Sequence, residues 1–149
     1  MPTSLFDSSA WVAAVFPTHP FHARAQAALA AATAEEPAVF CRATQVSFLR
    51  LITTPQLLRH YDAAHMTNRS ALTQLQMLLS RPEIAEIEEP PGTAALWQKL
   101  AMHDTASPKV WMDAYLAAFA IKGGLHFVTL DGDFKSYQPH GLQLALLNP

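Results

Sequence analysis

Short apolar runs, each closed by a turn residue or a carboxylate and separated from the next by a helical stretch, constrain this chain more than any other feature. Residues 4–6, 38–40, 84–87 and 126–130 are too short for helices and are dominated by the apolar and aromatic residues of buried strands. A fifth run, 142–147, is continuously apolar and fits either a strand or a helix. Between them lie helical segments with recognisable ends. Residues 8–15 follow a capping residue, Asp7 or Ser8. The alanine-rich stretch 22–34 stops before Pro37, and 43–53 stops before Pro55. Residues 62–80 space Leu72, Leu75, Leu78 and Leu79 along a helix that ends at Pro82. Residues 93–103 follow Pro90-Pro91-Gly92, and 110–122 run from Ser107-Pro108 to Gly123-Gly124. Strands alternating with helices of this length predict an α/β fold, a central parallel sheet flanked by helices on both faces.

With 149 residues and no repeat, linker or low-complexity tract, the chain is expected to form a single domain over 1–149. Cys41 is the single cysteine, so no internal disulfide is available. The start MPTSLFDSSAW has no basic region and meets Asp7 before an apolar stretch develops, and the run 114–121 is too short to span a bilayer. A cytoplasmic location without a membrane is expected. Ten Lys and Arg against 12 Asp and Glu give a net charge of −2, which excludes a generically basic nucleic-acid binder. RNA or DNA would have to be held by local cations, metal ions or a dimeric groove. Glu83, Glu86, Glu88 and Glu89 read as a solvated strand and loop edge.

The six aspartates are Asp7, Asp62, Asp104, Asp113, Asp131 and Asp133. Asp7 and Asp131 each follow a predicted buried strand, and the carboxyl ends of parallel strands form the edge where ligands bind. Asp113 shares the apolar stripe of Val110, Ala114, Ala117, Ala118 and Ile121, where an ionised group is costly unless paired or bound to a cation. Its helix leads through Gly123-Gly124 into the HFVTL strand, which brings Asp113 to the Asp131 end of the sheet. Converging carboxylates repel one another without a cation, and hard oxygen donors suit Mg²⁺ or Mn²⁺ for hydrolytic phosphoryl chemistry. Singly, each acid has a simpler structural role. Asp7 would cap a helix, Asp131-Gly132 would make a turn, Asp113 would pair with a core arginine, and Asp133 would cap a short helix over 134–137. Conjunction at one rim favours a site. Asp62 and Asp104 suggest a helix start and an exposed loop.

The segments LFDSSAWVAAVFPTHPFHARA, ATQVSFLRLITTP, KVWMDAYLAAFA and FVTLDGDF, in this order, resemble the PIN domain, and more narrowly the VapC-type toxins of bacterial type II toxin–antitoxin pairs. The resemblance implies a PIN-like α/β/α domain and an Mg²⁺- or Mn²⁺-dependent endoribonuclease, commonly a homodimer held inactive by a cognate VapB-type antitoxin. It implies that Asp7, Asp113 and Asp131 are the catalytic, metal-holding acids, with Asp133 as an auxiliary acid. Thr129 and Ser8 match small hydroxyl residues that position acids or water. Many members carry a glutamate on the central helix, where this chain has Gln45, a neutral residue whose amide oxygen still accepts a hydrogen bond.

The other polar residues weigh less. His19, His22, His60, His65, His103, His126 and His140 are scattered, as surface and packing residues are. Arg24, Arg42 and Lys135 are candidate phosphate neighbours, and Arg50 is read as structural. Trp11, Trp97 and Trp111 are read as core or interface packing. Two functions follow: a metal-dependent ribonuclease, or, given the missing glutamate and acidic balance, a PIN-like module that binds RNA or a protein without cutting. A phosphatase with a nucleophilic aspartate fails at its first motif, because Ser9 stands where the second acid is required.

Overall fold

The computed structural model describes residues 2–149. Strand β1 (Ser4–Phe6) leads into helices α1 (Ser8–Val15) and α2 (His22–Ala30), then β2 (Ala38–Phe40), α3 (Arg42–Ile52), α4 (Pro55–His60) and α5 (Asn68–Leu79). After β3 (Ile84–Glu86) come α6 (Thr93–Ala101), α7 (Val110–Gly123), β4 (His126–Thr129), a 3₁₀ helix over Gly132–His140 and β5 (Gln143–Leu146). The strands form one sheet in the order β3-β2-β1-β4-β5, and every pairing is parallel. The run 142–147 is therefore a strand, paired from Gln143 opposite His126 to Leu146 opposite Thr129.

Strand alternation divides the core into two layers. Phe6, Ala38, Phe40 and Val128 join Trp11, Phe48, Ile52 and Leu75 on the face covered by α1, α2, α3 and α5. Leu5, Val39 and Phe127 join Leu116, Phe119 and Phe134 on the face covered by α6, α7 and the 3₁₀ helix. The order of strands explains the split. From β1 to β3 the chain steps one way across the sheet, and from β3 to β4 it steps back. Right-handed crossovers then put the two sets of helices on opposite faces. Trp11 anchors the first layer, its ring stacked on Phe40 with centroids 4.0 Å apart and planes 6° from parallel. Its buried Nε1 has no hydrogen-bond partner among the described residues, so it contributes through packing alone.

Two helix expectations need correction. The helix expected over 62–80 begins only at Asn68, and α4 forms separately before it. Asp62 adopts a left-handed φ of 50°, which ends helical continuity there. Thr67 then starts α5 with a reciprocal cap: its hydroxyl accepts from the Ser70 N–H at 3.1 Å, and Ser70 Oγ accepts from the Thr67 N–H at 2.9 Å. The stretch expected to be helical to residue 34 stops at Ala30, because Thr33 forms a turn with Glu36 instead.

Trp11→Ala should lower the unfolding free energy by roughly 3–5 kcal/mol in urea melts, the usual cost of emptying a large aromatic site.

Candidate active site

Asp7 sits where β1 ends, and its backbone N–H donates to the Val128 carbonyl at 2.8 Å, tying it to β4. Its carboxylate caps α1, accepting from the Ser8 N–H at 2.8 Å. The other oxygen accepts from the Thr129 hydroxyl at 2.8 Å and the Ser9 hydroxyl at 3.3 Å. Those hydroxyls reach onward: Ser9 Oγ accepts from the Leu130 N–H at 3.2 Å, and Thr129 Oγ1 accepts from the Asp131 N–H at 3.1 Å. One buried network thus joins the ends of β1 and β4. Burial pushes the Asp7 carboxyl above its ordinary value, and these hydrogen bonds only partly offset it.

Asp113 projects from the first turn of α7, with only 16% of its side chain exposed. Burial raises its pKa, Lys109 works against that, and the charges of Asp131 and Asp7 add to the rise. Asp131 caps the 3₁₀ helix by accepting from the Asp133 N–H at 2.9 Å. Burial would raise its carboxyl too, but its bonds to Lys109 and to the Asp133 N–H hold it below its ordinary value. Lys109 Nζ lies 2.7 Å from Asp131, 2.7 Å from Asp133 and 3.4 Å from Asp113. Those bonds raise the lysine's own pKa. Among the described residues no three His, Cys, Asp or Glu side chains are already gathered closely enough to hold one metal ion; an ammonium stands among the acids instead. A cavity of about 600 Å³ opens beside Asp113 and Asp133, and Lys99, His103, Lys109 and His140 contribute to its walls.

The PIN domain family model matches residues 4–138 of the chain. The chain belongs to the PIN-domain family. It is 40% identical over 144 residues to the ribonuclease VapC41 of Mycobacterium tuberculosis strain CDC 1551 / Oshkosh, covering 96% of this chain and 97% of that protein. The same figures hold for the ribonuclease VapC41 of strain ATCC 25618 / H37Rv, with 40% identity over 144 residues. Within the PIN-domain family the chain therefore falls among the VapC proteins. The fold is shared with the crystal structure of Mycobacterium tuberculosis VapC20, described as a sarcin-ricin loop cleaving toxin. That match has a TM-score of 0.60 at 18% identity, covering 94% of this chain and 96% of that one.

Within this PIN domain, Asp7, Asp113, Asp131, Asp133 and Thr129 come together at one sheet edge. Asp131, not Asp133, caps the helix that follows. Ser8 contributes its backbone N–H, with its hydroxyl at a marginal 3.5 Å from Asp7, so the stronger hydroxyl partner is Ser9. Ser9 was legible only through its position, two residues beyond the strand-end acid. Gln45 is buried at the start of α3, where its amide oxygen accepts from Arg42 at 2.6 Å and its amide nitrogen donates to Glu86. Arg42 and Glu86 are thereby committed to Gln45 and to each other, and Glu89 accepts from the Tyr115 hydroxyl at 2.8 Å. Glu86, Glu88 and Glu89 are exposed, as a solvated edge requires, with Glu86 and Glu89 also holding partners there. Arg24 donates to the Leu147 carbonyl at 2.9 Å. Lys109, the cation at the centre of the acids, was not singled out by sequence; its signal was an i,i+4 spacing to Asp113.

The pKa directions set the sign of a pH effect. Asp7 and Asp113 bind protons more tightly folded than unfolded, so their contribution to stability is fully present below the ordinary 3.8 and is lost as pH rises through their raised values. Asp131 contributes above 3.8 and loses that contribution as pH falls through its lowered value. The metal-free melting temperature should rise on acidification from neutral pH, then fall below about pH 3.8. Asp7→Asn should flatten the rise in a pH series of thermal melts.

Proposed function

We propose that this chain is a divalent-metal-dependent endoribonuclease, the toxin of a VapBC-type pair, in which Asp7, Asp113 and Asp131 are the catalytic and metal-holding acids. The observation that carries this is the gathering of three carboxylates from separate segments at one rim of the sheet, with Asp113 and Asp131 sharing the Lys109 ammonium and Asp7 tied to the end of β4 through Thr129. The ribonuclease reading of the substrate draws on the 40% identity to VapC41 over nearly the full chain.

The donor set fits Mg²⁺ or Mn²⁺: hard carboxylate oxygens with no thiolate or imidazole among them. Such an ion, when bound, supplies Lewis-acid charge for a phosphodiester and lowers the pKa of water. The protein's own part is positioning. Thr129, Ser9 and the Ser8 N–H fix both Asp7 oxygens, so this carboxylate is oriented before any ligand arrives. Asp113 and Asp131 share the Lys109 ammonium, and Asp133 lines the cleft as an auxiliary acid. Lys99 puts a cation on the cleft wall beside Lys109, although the chain as a whole carries a net charge of −2. Gln45, tied to Arg42 and Glu86, acts at the neighbouring strand end, as a brace for α3 against β3.

A VapB-type antitoxin is the expected partner, and the cytoplasm the expected location; no helix among the described residues is long and apolar enough to cross a membrane. For the homodimer, the helix with leucines at 72–79 offers less than its sequence suggests, because Leu75 and Leu78 are spent on the core. We assign the dimer face to the exposed apolar side chains Val46, Trp111 and Met112, which line one groove with Arg50, and to Leu72, which meets Arg50 in the adjoining one.

Asp7→Asn, Asp113→Asn and Asp131→Asn should each reduce cleavage of total RNA by ~10²-fold or more while the far-UV circular dichroism is kept. EDTA should stop the wild type, and Mn²⁺ should restore it. Undiminished cleavage by the Asp7 variant would sink the mechanism. Val46→Glu should convert a dimer to a monomer in sedimentation velocity, and a wild type that sediments as a monomer removes the dimer assignment.

A further inference from the structure

We propose that Lys109 is a built-in counter-cation that a divalent ion must displace, so that this side chain sets the metal affinity of the site. This rests on the metal-dependent reading above. Nζ makes two contacts of 2.7 Å and one of 3.4 Å, and its partners Asp131, Asp133 and Asp113 come from two separate segments. An ordinary surface lysine pairs with one carboxylate and gains little. Here one ammonium spans three, and two of the three are acids assigned to the metal.

The arrangement neutralises only one side of the cluster. The Asp7 carboxylate receives hydroxyls and an N–H, and Lys109 does not touch it. An ion held by Asp113 and Asp131 would have to share these carboxylates with the Lys109 ammonium, and two cations on the same acids repel strongly. Lys109 has the means to leave. It precedes the first residue of α7, 59% of its side chain is exposed, and its long stem borders the open cavity next to Ser136 and His140. Acids that would otherwise repel one another in the metal-free protein are thus held together, and the same contact becomes a competitor once the ion arrives.

Isothermal titration of Mn²⁺ into the metal-free protein, with no RNA present, tests this on wild type, Lys109→Gln and Lys109→Arg. Removing the competing charge should tighten Mn²⁺ binding by about tenfold in Lys109→Gln, while Lys109→Arg, which keeps the charge, should stay near wild type. Thermal melts check folding and should show Lys109→Gln less stable without metal and gaining more from saturating Mn²⁺. A folded Lys109→Gln that binds Mn²⁺ no more tightly than wild type overturns the role of Lys109 and leaves the ribonuclease reading standing. A wild type that binds no Mn²⁺ overturns the metal reading and this proposal with it.

Discussion

The parallel register of β1 against β4, with Phe6 opposite Val128, is the constraint from which the candidate site hangs. It puts Asp7 one residue beyond the end of one central strand, within reach of Thr129 at the end of the other. A slip of one residue would turn Leu5 and Phe6 to the wrong faces and break both core layers. The same hydrophobic alternation that fixes the core therefore fixes the acid. The Ser9–Thr129–Asp7 hydrogen bonds then consolidate what packing has already decided.

Placing carboxylates there has an energetic consequence. Asp7 and Asp113 are desolvated enough to hold their protons more tightly than free carboxyls do, so at neutral pH the fold carries them at a cost. Natural folds tolerate such local conflicts where a ligand or reaction gains from them. Lys109 relieves the outer acids, and the inner one depends on oriented hydroxyls. The two solutions differ in kind. The hydroxyls belong to the buried edge and are fixed, whereas the ammonium is on an exposed, flexible stem.

Much of this was legible from residue patterns. The strand runs at 4–6, 38–40 and 126–130 stand out because parallel strands buried on both faces must be apolar without interruption. Asp7 and Asp131 are legible for the same reason, as the first ionisable residues after such a run. Helix ends marked by proline or glycine were readable as well, as at Gly124, which takes the left-handed φ of 62°. The break at Asp62 was not, because no proline or glycine stands between Arg59 and Met66 and Ala63-Ala64 carry no local bar to a helix. Ser9 and Lys109 were missed since their importance depends on partners more than 20 residues away. Gln45 was read as standing in for an acid; its partners turn out to be Arg42, three residues before it on α3, and Glu86, which only the β2–β3 neighbourhood brings near.

By itself, then, the sequence determined the alternation of buried strands and helices, the parallel sheet, and which acids end strands. These follow from burial and backbone geometry within a few residues. Tertiary structure alone decided the strand order, the hydroxyl pair that orients Asp7, and the lysine among the outer acids. Those contacts join segments distant in the chain, and short-range pattern carries no information about which distant polar group will meet which.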